Sequence, residues 1–287
     1  MKSDQLATDS FRPLSHLSFT AIVYYIVMLI SGIKKKYAYS TAINNGMNQK
    51  IVVYYHLYIH PFSANCANLW PFFVDEQLGL LKSSGLADSA RVVVGIAMSA
   101  QDTHPGSNKS TYELVVGYIH DRYPWAEIID VRDTSISPNL YEGQTLNHLY
   151  QYCQNNPGYV FYFHSKGMSR TDMPQIHDWR KFLQHHLVQR WKICVGELKN
   201  NDVAMVNSRS RGNFWWATTD YIRTLANPLT PEVYKPDDPD FWLGTYRFRY
   251  ALEEWVWLNN PKIYYVYDTG DHEFYCDFLP ANMRHWE

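Results

Sequence analysis

From Ile51 onward, short apolar runs alternate with segments whose apolar residues recur at helical spacing. The run Ile51–Tyr55 predicts a β-strand, and Leu69–Ser84 predicts a helix that ends at Gly85. The same reasoning predicts further strands at Arg91–Met98, Ala126–Val131, Tyr159–Phe163, Val203–Asn207 and Ile263–Tyr267. Further helices are predicted at Thr111–Arg122, Leu140–Cys153, Ile176–Asn200 and Tyr246–Leu258. The pattern therefore predicts strands and helices in alternation.

Strands that alternate with helices over short spacings favour parallel pairing through right-handed crossovers. We therefore expect one α/β domain built on a doubly wound, mostly parallel sheet. Neither a GxGxxG pattern nor a Walker pattern follows any predicted strand, which argues against a dinucleotide-dependent dehydrogenase and a P-loop enzyme. A GxSxG nucleophile elbow is also missing, so a Ser/His/Asp hydrolase has no support.

The first 46 residues differ in pattern from the rest of the chain. Leu17–Ile33 is apolar and uncharged, is near the shortest length that spans a membrane as a helix, and is followed at once by three lysines. One interpretation is a signal anchor, which by the positive-inside rule leaves the following chain on the cytoplasmic side. A cleaved secretory signal is disfavoured because the basic region is thin and no clear cleavage site follows.

The other interpretation is that translation starts at Met47, directly before an apolar strand, as in many compact cytosolic domains. Both interpretations predict a working domain over residues 47–287 and an extension over residues 1–46. The domain is expected in the cytoplasm, or at the cytoplasmic face of a membrane if residues 17–33 anchor it.

Composition narrows the class of protein. The chain has 287 residues, of which 46% are hydrophobic and 19% charged, with 10 Trp and 23 Tyr. This predicts a thick core, with aromatic rings also available to line a pocket. The formal net charge of −2 argues against a nucleic-acid partner, which requires a basic face. Four cysteines lie far apart and are expected to be free thiols in a reducing compartment: Cys66, Cys153, Cys194 and Cys276.

The stretch Tyr159–Gly167 combines a buried strand with a polar end. A turn signal at Asn155–Gly158 precedes five apolar or aromatic residues, which suggests a central strand covered on both faces. The strand is followed directly by His164, Ser165, Lys166 and Gly167. Because ligands bind outside the carboxyl ends of such strands, these residues form a candidate anion or phosphate site. The alternative is a turn whose lysine is only solvated.

Two acidic pairs are candidates for proton transfer. Asp130 and Asp133 end the third predicted strand, and Glu253 and Glu254 lie within a predicted helix beside Trp255. A carboxylate directed into a pocket can deprotonate a hydroxyl group. Most carboxylates at such spacings are solvated surface groups, but the neighbouring tryptophans indicate that the Glu253–Glu254 segment is partly buried.

No metal site is assigned from the histidines, because neither His56 with His60 nor His185 with His186 makes an HExxH-type motif. Further along, Gly212 and Asn213 predict a tight turn before two adjacent tryptophans. In an extended chain Trp215 and Trp216 have side chains on opposite faces. We expect one of them in the core and the other at a pocket; the alternative places both in the core.

Taken together, five separated motifs resemble bacterial and viral glycosyltransferase-like proteins of the GT-A class. They are His164–Gly167, Trp179-Arg180, Gly212–Ala217, Asp220-Tyr221 and Glu253–Trp255. The resemblance covers the chain from about Ile51 to its C-terminus. It implies an α/β, GT-A-like fold: a mostly parallel nucleotide-binding sheet flanked by helices, in a single domain.

The resemblance also implies an activity, the transfer of a sugar from a nucleotide-sugar donor to a hydroxyl of a glycan or polysaccharide acceptor. The segment His164–Gly167 would stand where GT-A enzymes place the Asp-x-Asp motif that holds a divalent metal on the diphosphate. That motif is missing here, so Lys166 with His164 would neutralise the diphosphate directly. Whether Mn²⁺ or Mg²⁺ takes part stays open.

By the same resemblance, Asn213, Trp215 and Trp216 would bind the acceptor, and Glu253 or Glu254 would act as the base. The alternative function is a catalytically inactive carbohydrate- or nucleotide-binding module on the same fold. The expected partners are a nucleotide sugar and a glycan, with membrane association through residues 17–33 and no nucleic acid.

Overall fold

The computed structural model describes residues 51–59, 64–98, 110–131, 142–207, 214–230, 233, 246–270, 272, 274 and 276–284, without the side chains of 64–68, 246–249 and 282. All of these residues belong to one compact unit, Gln49–Glu287. None of the helices described is long and apolar enough to cross a membrane. The candidate anchor at residues 17–33, the extension over residues 1–46 and the alternative start at Met47 lie outside the described residues and stay predictions.

The described elements follow the predicted alternation. The strands are β1 Ile51–Ile59, β2 Arg91–Met98, β3 Ala126–Asp130, β4 Tyr159–His164, β5 Val203–Asn207, β6 Trp215–Thr218 and β7 Ile263–Asp268. The helices are α1 Ala64–Ser83, α2 Thr111–Arg122, α3 Gly143–Asn155, α4 Pro174–Gln184, α5 Trp191–Glu197, α6 Thr219–Thr224 and α7 Tyr246–Glu254. A π-helical turn, His185–Gln189, joins α4 to α5.

The strands form one seven-stranded sheet in the order β3-β2-β1-β4-β6-β5-β7. β1 pairs in parallel with β2 and β4, β2 with β3, and β5 with β7, whereas β6 runs antiparallel to β4 and β5. The architecture predicted from the sequence is therefore confirmed as an α/β fold in which helices flank a mostly parallel sheet, formed in one unit.

Helices cover both faces of the sheet, which explains why the central strands carry long apolar runs. Val53 and Tyr55 of β1 belong to a first core cluster, which also contains buried residues of α1, α2, α4 and α5. Val52 and Tyr54 belong to a second core cluster with residues of α3, α6 and α7. Successive strand residues thus contribute to opposite sides of the sheet.

Local signals explain several element ends. At the start of α2, the Ser110 hydroxyl accepts a hydrogen bond from the Glu113 backbone N–H, and the Glu113 carboxylate accepts one from Ser110 N–H. The predicted helix Ile176–Asn200 is instead divided into α4, the π-helical turn and α5. The short strand β6 was not predicted, because four residues are too few to show a periodicity.

The described thiols of Cys153, Cys194 and Cys276 are free, and the first two are buried. Burial raises the pKa of Cys153 and of Cys194 to about 12. Such thiols stay protonated at neutral pH and are poor nucleophiles.

Candidate functional site

The segment His164–Gly167, called the β4 tip below, lies where the central strand ends. In the parallel pairing of β1 with β4, His164 stands in register with His56. The Ser165 backbone N–H donates to the His56 carbonyl at 3.0 Å, and Gln77 Nε2 donates to the His164 carbonyl at 3.0 Å. The backbone of the tip is therefore tied to β1 and to α1.

Ser165 and Gly167 shape the turn that follows. The Ser165 hydroxyl accepts a hydrogen bond from Tyr58 N–H at 3.1 Å. Gly167 has a φ of +86°, and a Cβ on it would lie 3.1 Å from Arg180 Nη1 and from Ile176 Cγ2. Both the backbone conformation and the close approach of α4 require glycine at this position.

Lys166 turns away from the face on which His164 lies. Its Nζ is 3.1 Å from the ring centroid of Trp179, a residue of the first core cluster, and the residue is only 3% exposed. A cation over an indole face is electrostatically favourable. A diphosphate would reach this ammonium group only after the side chain had left Trp179, so the predicted contact with the donor requires a rearrangement.

An ion pair between the buried Arg180 and the partly buried Glu76 supports the tip on the side of the first core cluster. The Arg180 guanidinium donates from Nε and Nη2 to the two carboxylate oxygens of Glu76, at 2.7 and 3.0 Å, and from Nη1 to the Lys166 carbonyl at 3.0 Å. Gln184 also donates to Glu76, at 2.8 Å. Burial by itself would raise the pKa of Glu76, but the hydrogen bonds and charge of Arg180 outweigh it and lower that pKa.

Polar side chains collect on the opposite face, beside His164. The Tyr162 hydroxyl donates to Glu142 Oε2 at 2.9 Å, and Glu142 Oε1 lies 3.8 Å from His164 Nδ1. All three residues are buried. The pKa of Tyr162 is raised by burial, then by the charge of Glu142 and by that of Glu253. Glu142, His164, Tyr162 and Glu253 are called the acidic cluster below.

The two glutamates of α7 differ in how far they are buried. Glu253 is buried and its charge contributes to the raised pKa of Tyr162, whereas Glu254 is only half-buried. Of the other predicted acidic pair, Asp130 is exposed at the end of β3 and Asp133 lies outside the described residues. Glu253 is thus the predicted carboxylate that the fold brings to the β4 tip.

Sequence reasoning missed Glu142 and Tyr162. Tyr162 stands in an apolar run that predicts a core position, and Glu142 is a single acidic residue before α3. Two signals in the sequence point to these residues. Tyr162 lies two residues before His164 and therefore on the same face of the strand, and Glu142 is an acidic residue at the start of a helix.

His56, the residue of β1 that stands in register with His164, is a neutral side chain. Its Nδ1 is 2.8 Å from the Thr145 hydroxyl of α3, and burial lowers its pKa to about 3. Gly95 stands in register with His56 on β2, and a Cβ there would overlap the Thr145 hydroxyl. The small residue on β2 therefore makes room for the hydrogen bond between α3 and β1.

The two tryptophans of β6 lie on opposite faces as predicted, but both are packed in the core. Trp215 stacks on Tyr162, with ring centroids 5.4 Å apart, and Trp216 stacks on Phe161 at 4.7 Å. Trp216 Nε1 also donates to the Leu187 carbonyl at 2.8 Å. Since both indoles are buried, the expected contrast between one core and one pocket-facing ring is not seen.

The remaining predicted acceptor residue, Asn213, lies outside the described residues. Within the part of the chain that the structure describes, no group of three or more His, Cys, Asp or Glu side chains comes together in a way that could hold a metal ion. Among the described residues, side chains alone therefore do not form a site for a divalent cation.

No curated protein matches the sequence. Among solved structures, the chain is similar to a "putative nucleotide-diphospho-sugar transferase" from Desulfovibrio desulfuricans G20, with 13% sequence identity and a TM-score of 0.37 over 77% of this chain and 81% of that one. A likeness of that size supports no argument about activity. Residues 54–257 match the family described as "Domain of unknown function (DUF8361)", and the chain belongs to that family.

Proposed function

We propose that the protein is a glycosyltransferase that moves a sugar from a nucleotide-sugar donor to a hydroxyl of a glycan or polysaccharide acceptor. The observation that carries the proposal is the acidic cluster at the carboxyl end of the central parallel strand, where Glu142 contacts Tyr162 and His164 and the charge of the buried Glu253 acts on Tyr162. Ligands of open α/β sheets bind at this edge.

Glu253 has the surroundings of a general base. Transfer to a hydroxyl needs a group that accepts the hydroxyl proton as the new glycosidic bond forms, and a carboxylate within hydrogen-bond reach can do so. Glu253 is held on α7 and is shielded from water, so its charge acts through a medium of low polarity. Glu254 is less buried and is the weaker candidate.

The β4 tip has the features of the donor side. His164 lies next to the acidic cluster, and the backbone of the tip is fixed by β1 and α1. We assign the diphosphate to the tip, with His164 as the cationic group nearest to the candidate base. Lys166 joins it only if its side chain leaves Trp179.

The position of Lys166 also favours the second candidate, a catalytically inactive carbohydrate- or nucleotide-binding module. A lysine that is buried against an indole contributes to packing without any ligand. A binding module predicts binding of the nucleotide or sugar without release of a nucleoside diphosphate.

The first experiment is thermal unfolding of the full chain with UDP-, GDP-, TDP- and CMP-sugars, each with and without Mn²⁺ or Mg²⁺. A ligand that binds only the folded state raises the melting temperature. We expect one class of nucleotide sugar to do so. A shift that needs the metal would show that the ion binds together with the donor, and no shift with any donor would contradict the proposal.

The second experiment compares Glu253→Gln with Glu254→Gln in a turnover assay that follows release of the nucleoside diphosphate. Glu253→Gln should lower turnover about 100-fold or more and leave the donor-induced rise in melting temperature intact. Glu254→Gln should retain most of the activity. Normal turnover in Glu253→Gln would overturn the base assignment, and donor binding without turnover in the unmodified chain would favour the binding module.

A further inference from the structure

We propose that Glu142 is a positioning residue of this site, which holds His164 as an imidazolium so that the β4 tip presents a cation to the donor diphosphate. The inference rests on the proposed function and deepens it. The sequence analysis gives the cationic role to Lys166 with His164, and this inference gives the main part to His164, whose charge the Glu142 carboxylate supports.

The Glu142–His164 pair is shielded from solvent. Nδ1 of His164 lies 3.8 Å from Oε1 of Glu142, and the two side chains are 11% and 8% exposed. A negative charge at this distance favours the charged form of an imidazole, and the effect is larger where water is excluded.

The other oxygen of Glu142 is engaged in a way that keeps the carboxylate ionised. Oε2 accepts the Tyr162 hydroxyl at 2.9 Å, and a hydrogen bond donated to a carboxylate stabilises its anionic form. Glu142 also stands at the amino end of α3, where the helix dipole favours a negative charge. Tyr162 thereby holds one oxygen, and the second remains beside the imidazole.

This arrangement determines which nitrogen of the His164 ring would donate a hydrogen bond to a ligand. Since Nδ1 lies toward the carboxylate, the protonated ring carries its second N–H on Nε2. The Phe214 ring packs edge-on against the imidazole, with centroids 5.5 Å apart, and limits its rotation. An N–H of a charged imidazole is a strong donor to a phosphate oxygen.

The charges around His164 agree with this role. Within the described residues, the titratable groups that contact His164, stand in register with it or act on Tyr162 beside it are Glu142, His56, Tyr162 and Glu253, and Lys166 follows two residues later in the chain. Burial keeps His56 neutral, and Lys166 lies on the opposite face against Trp179. The Glu142 carboxylate, 3.8 Å from Nδ1, favours the cationic form of His164.

The experiment that tests the pair itself needs no ligand. Titration of ¹³C-labelled histidines by NMR in the full chain gives the midpoint of His164, whose resonance is assigned by its loss in His164→Asn. Glu142→Gln should move that midpoint down by about one pH unit. Glu127→Gln, which removes a surface carboxylate paired with Arg91 on the distant edge of the sheet, should leave it unchanged.

A second variant guards against a local loss of structure in Glu142→Gln. Tyr162→Phe removes the hydroxyl that donates to Glu142 but leaves the carboxylate charge in place, so it should not lower the His164 midpoint. A midpoint that Glu142→Gln leaves unchanged, or that Tyr162→Phe lowers by as much as Glu142→Gln does, overturns the inference, whatever the nucleotide experiments give.

The ligand is tested with UDP and GDP by calorimetry at pH 6 and pH 8.5. In the unmodified chain the dissociation constant of the nucleotide that binds should rise about tenfold between the two pH values, as the imidazolium is lost, and Glu142→Gln should show a smaller change. Binding that does not depend on pH overturns the role of the cation. A midpoint that responds to Glu142 with no nucleotide bound at either pH leaves the ion pair intact and overturns the proposed function.

Discussion

Gly167 shows how a single residue at the β4 tip is set by its neighbours. Its φ of +86° costs a residue with a side chain about 1–2 kcal/mol, and α4 leaves little room for a Cβ. We expect Gly167→Ala to lower the free energy of unfolding by about 2 kcal/mol, measured in urea. The control is Gly117→Ala within α2, where nothing lies within 4 Å of an added Cβ. This change should stabilise by up to about 1 kcal/mol, and effects of the same sign would contradict the argument.

The buried histidine beneath the tip gives a pH dependence with a defined sign. Burial lowers the pKa of His56 to about 3, whereas an unfolded histidine titrates near about 6.5. Between these values the unfolded chain binds a proton that the folded chain does not, so stability is lost as the pH falls through this window.

The contribution of His56 amounts to at most about 1.4 kcal/mol per pH unit. We expect His56→Gln to lose less free energy of unfolding than the unmodified chain between about pH 6.5 and pH 4.5. Denaturation in urea at several pH values measures both slopes. Equal slopes would show that His56 is protonated in the folded protein.

At the scale of elements, the Arg180–Glu76 ion pair joins α4 to α1 and holds the Lys166 carbonyl. Arg180 is 1% exposed at its side chain, so removal of its partner leaves a buried charge without compensation. Glu76→Gln should therefore lower the free energy of unfolding by about 3 kcal/mol.

The matched control is Asp88→Asn, which breaks a pair with Lys82 in which both side chains are more than half exposed. An exposed pair contributes about 0–1 kcal/mol, so this change should cost little. Urea denaturation measures both variants. If the two substitutions cost the same, the Arg180–Glu76 pair does not stabilise the tip in the way we infer.

The element bounds also show what periodicity can and cannot predict. β2 and β5 have the predicted bounds because these segments carry a clear apolar pattern. The first residue of α3 is Gly143, three residues after the predicted start. The predicted helix Ile176–Asn200 is interrupted at His185–Gln189, where the apolar pattern continues but the backbone forms a π-helical turn. Local pattern does not report such a change in hydrogen bonding.

At the scale of the whole molecule, two side chains of the β4 tip lie in different environments on opposite sides of the sheet. His164 lies with the acidic cluster on the face of the second core cluster, whereas Lys166 lies against Trp179 on the face of the first. The sequence places the two residues side by side. Only the packing of α3 and α4 on opposite faces separates His164, which lies beside Glu142, from Lys166, which lies against Trp179.

The sequence by itself determined the α/β architecture, the parallel central strands and the polar tip of β4. These features follow from short-range periodicity, and parallel strands bring their carboxyl ends to one edge. Only the tertiary structure shows that Trp215 and Trp216 are both buried, that Glu253 is more buried than Glu254, and that Glu142 contacts Tyr162 and His164. Those contacts join residues from separate elements, and their burial depends on how the helices pack against the sheet, which no local pattern contains.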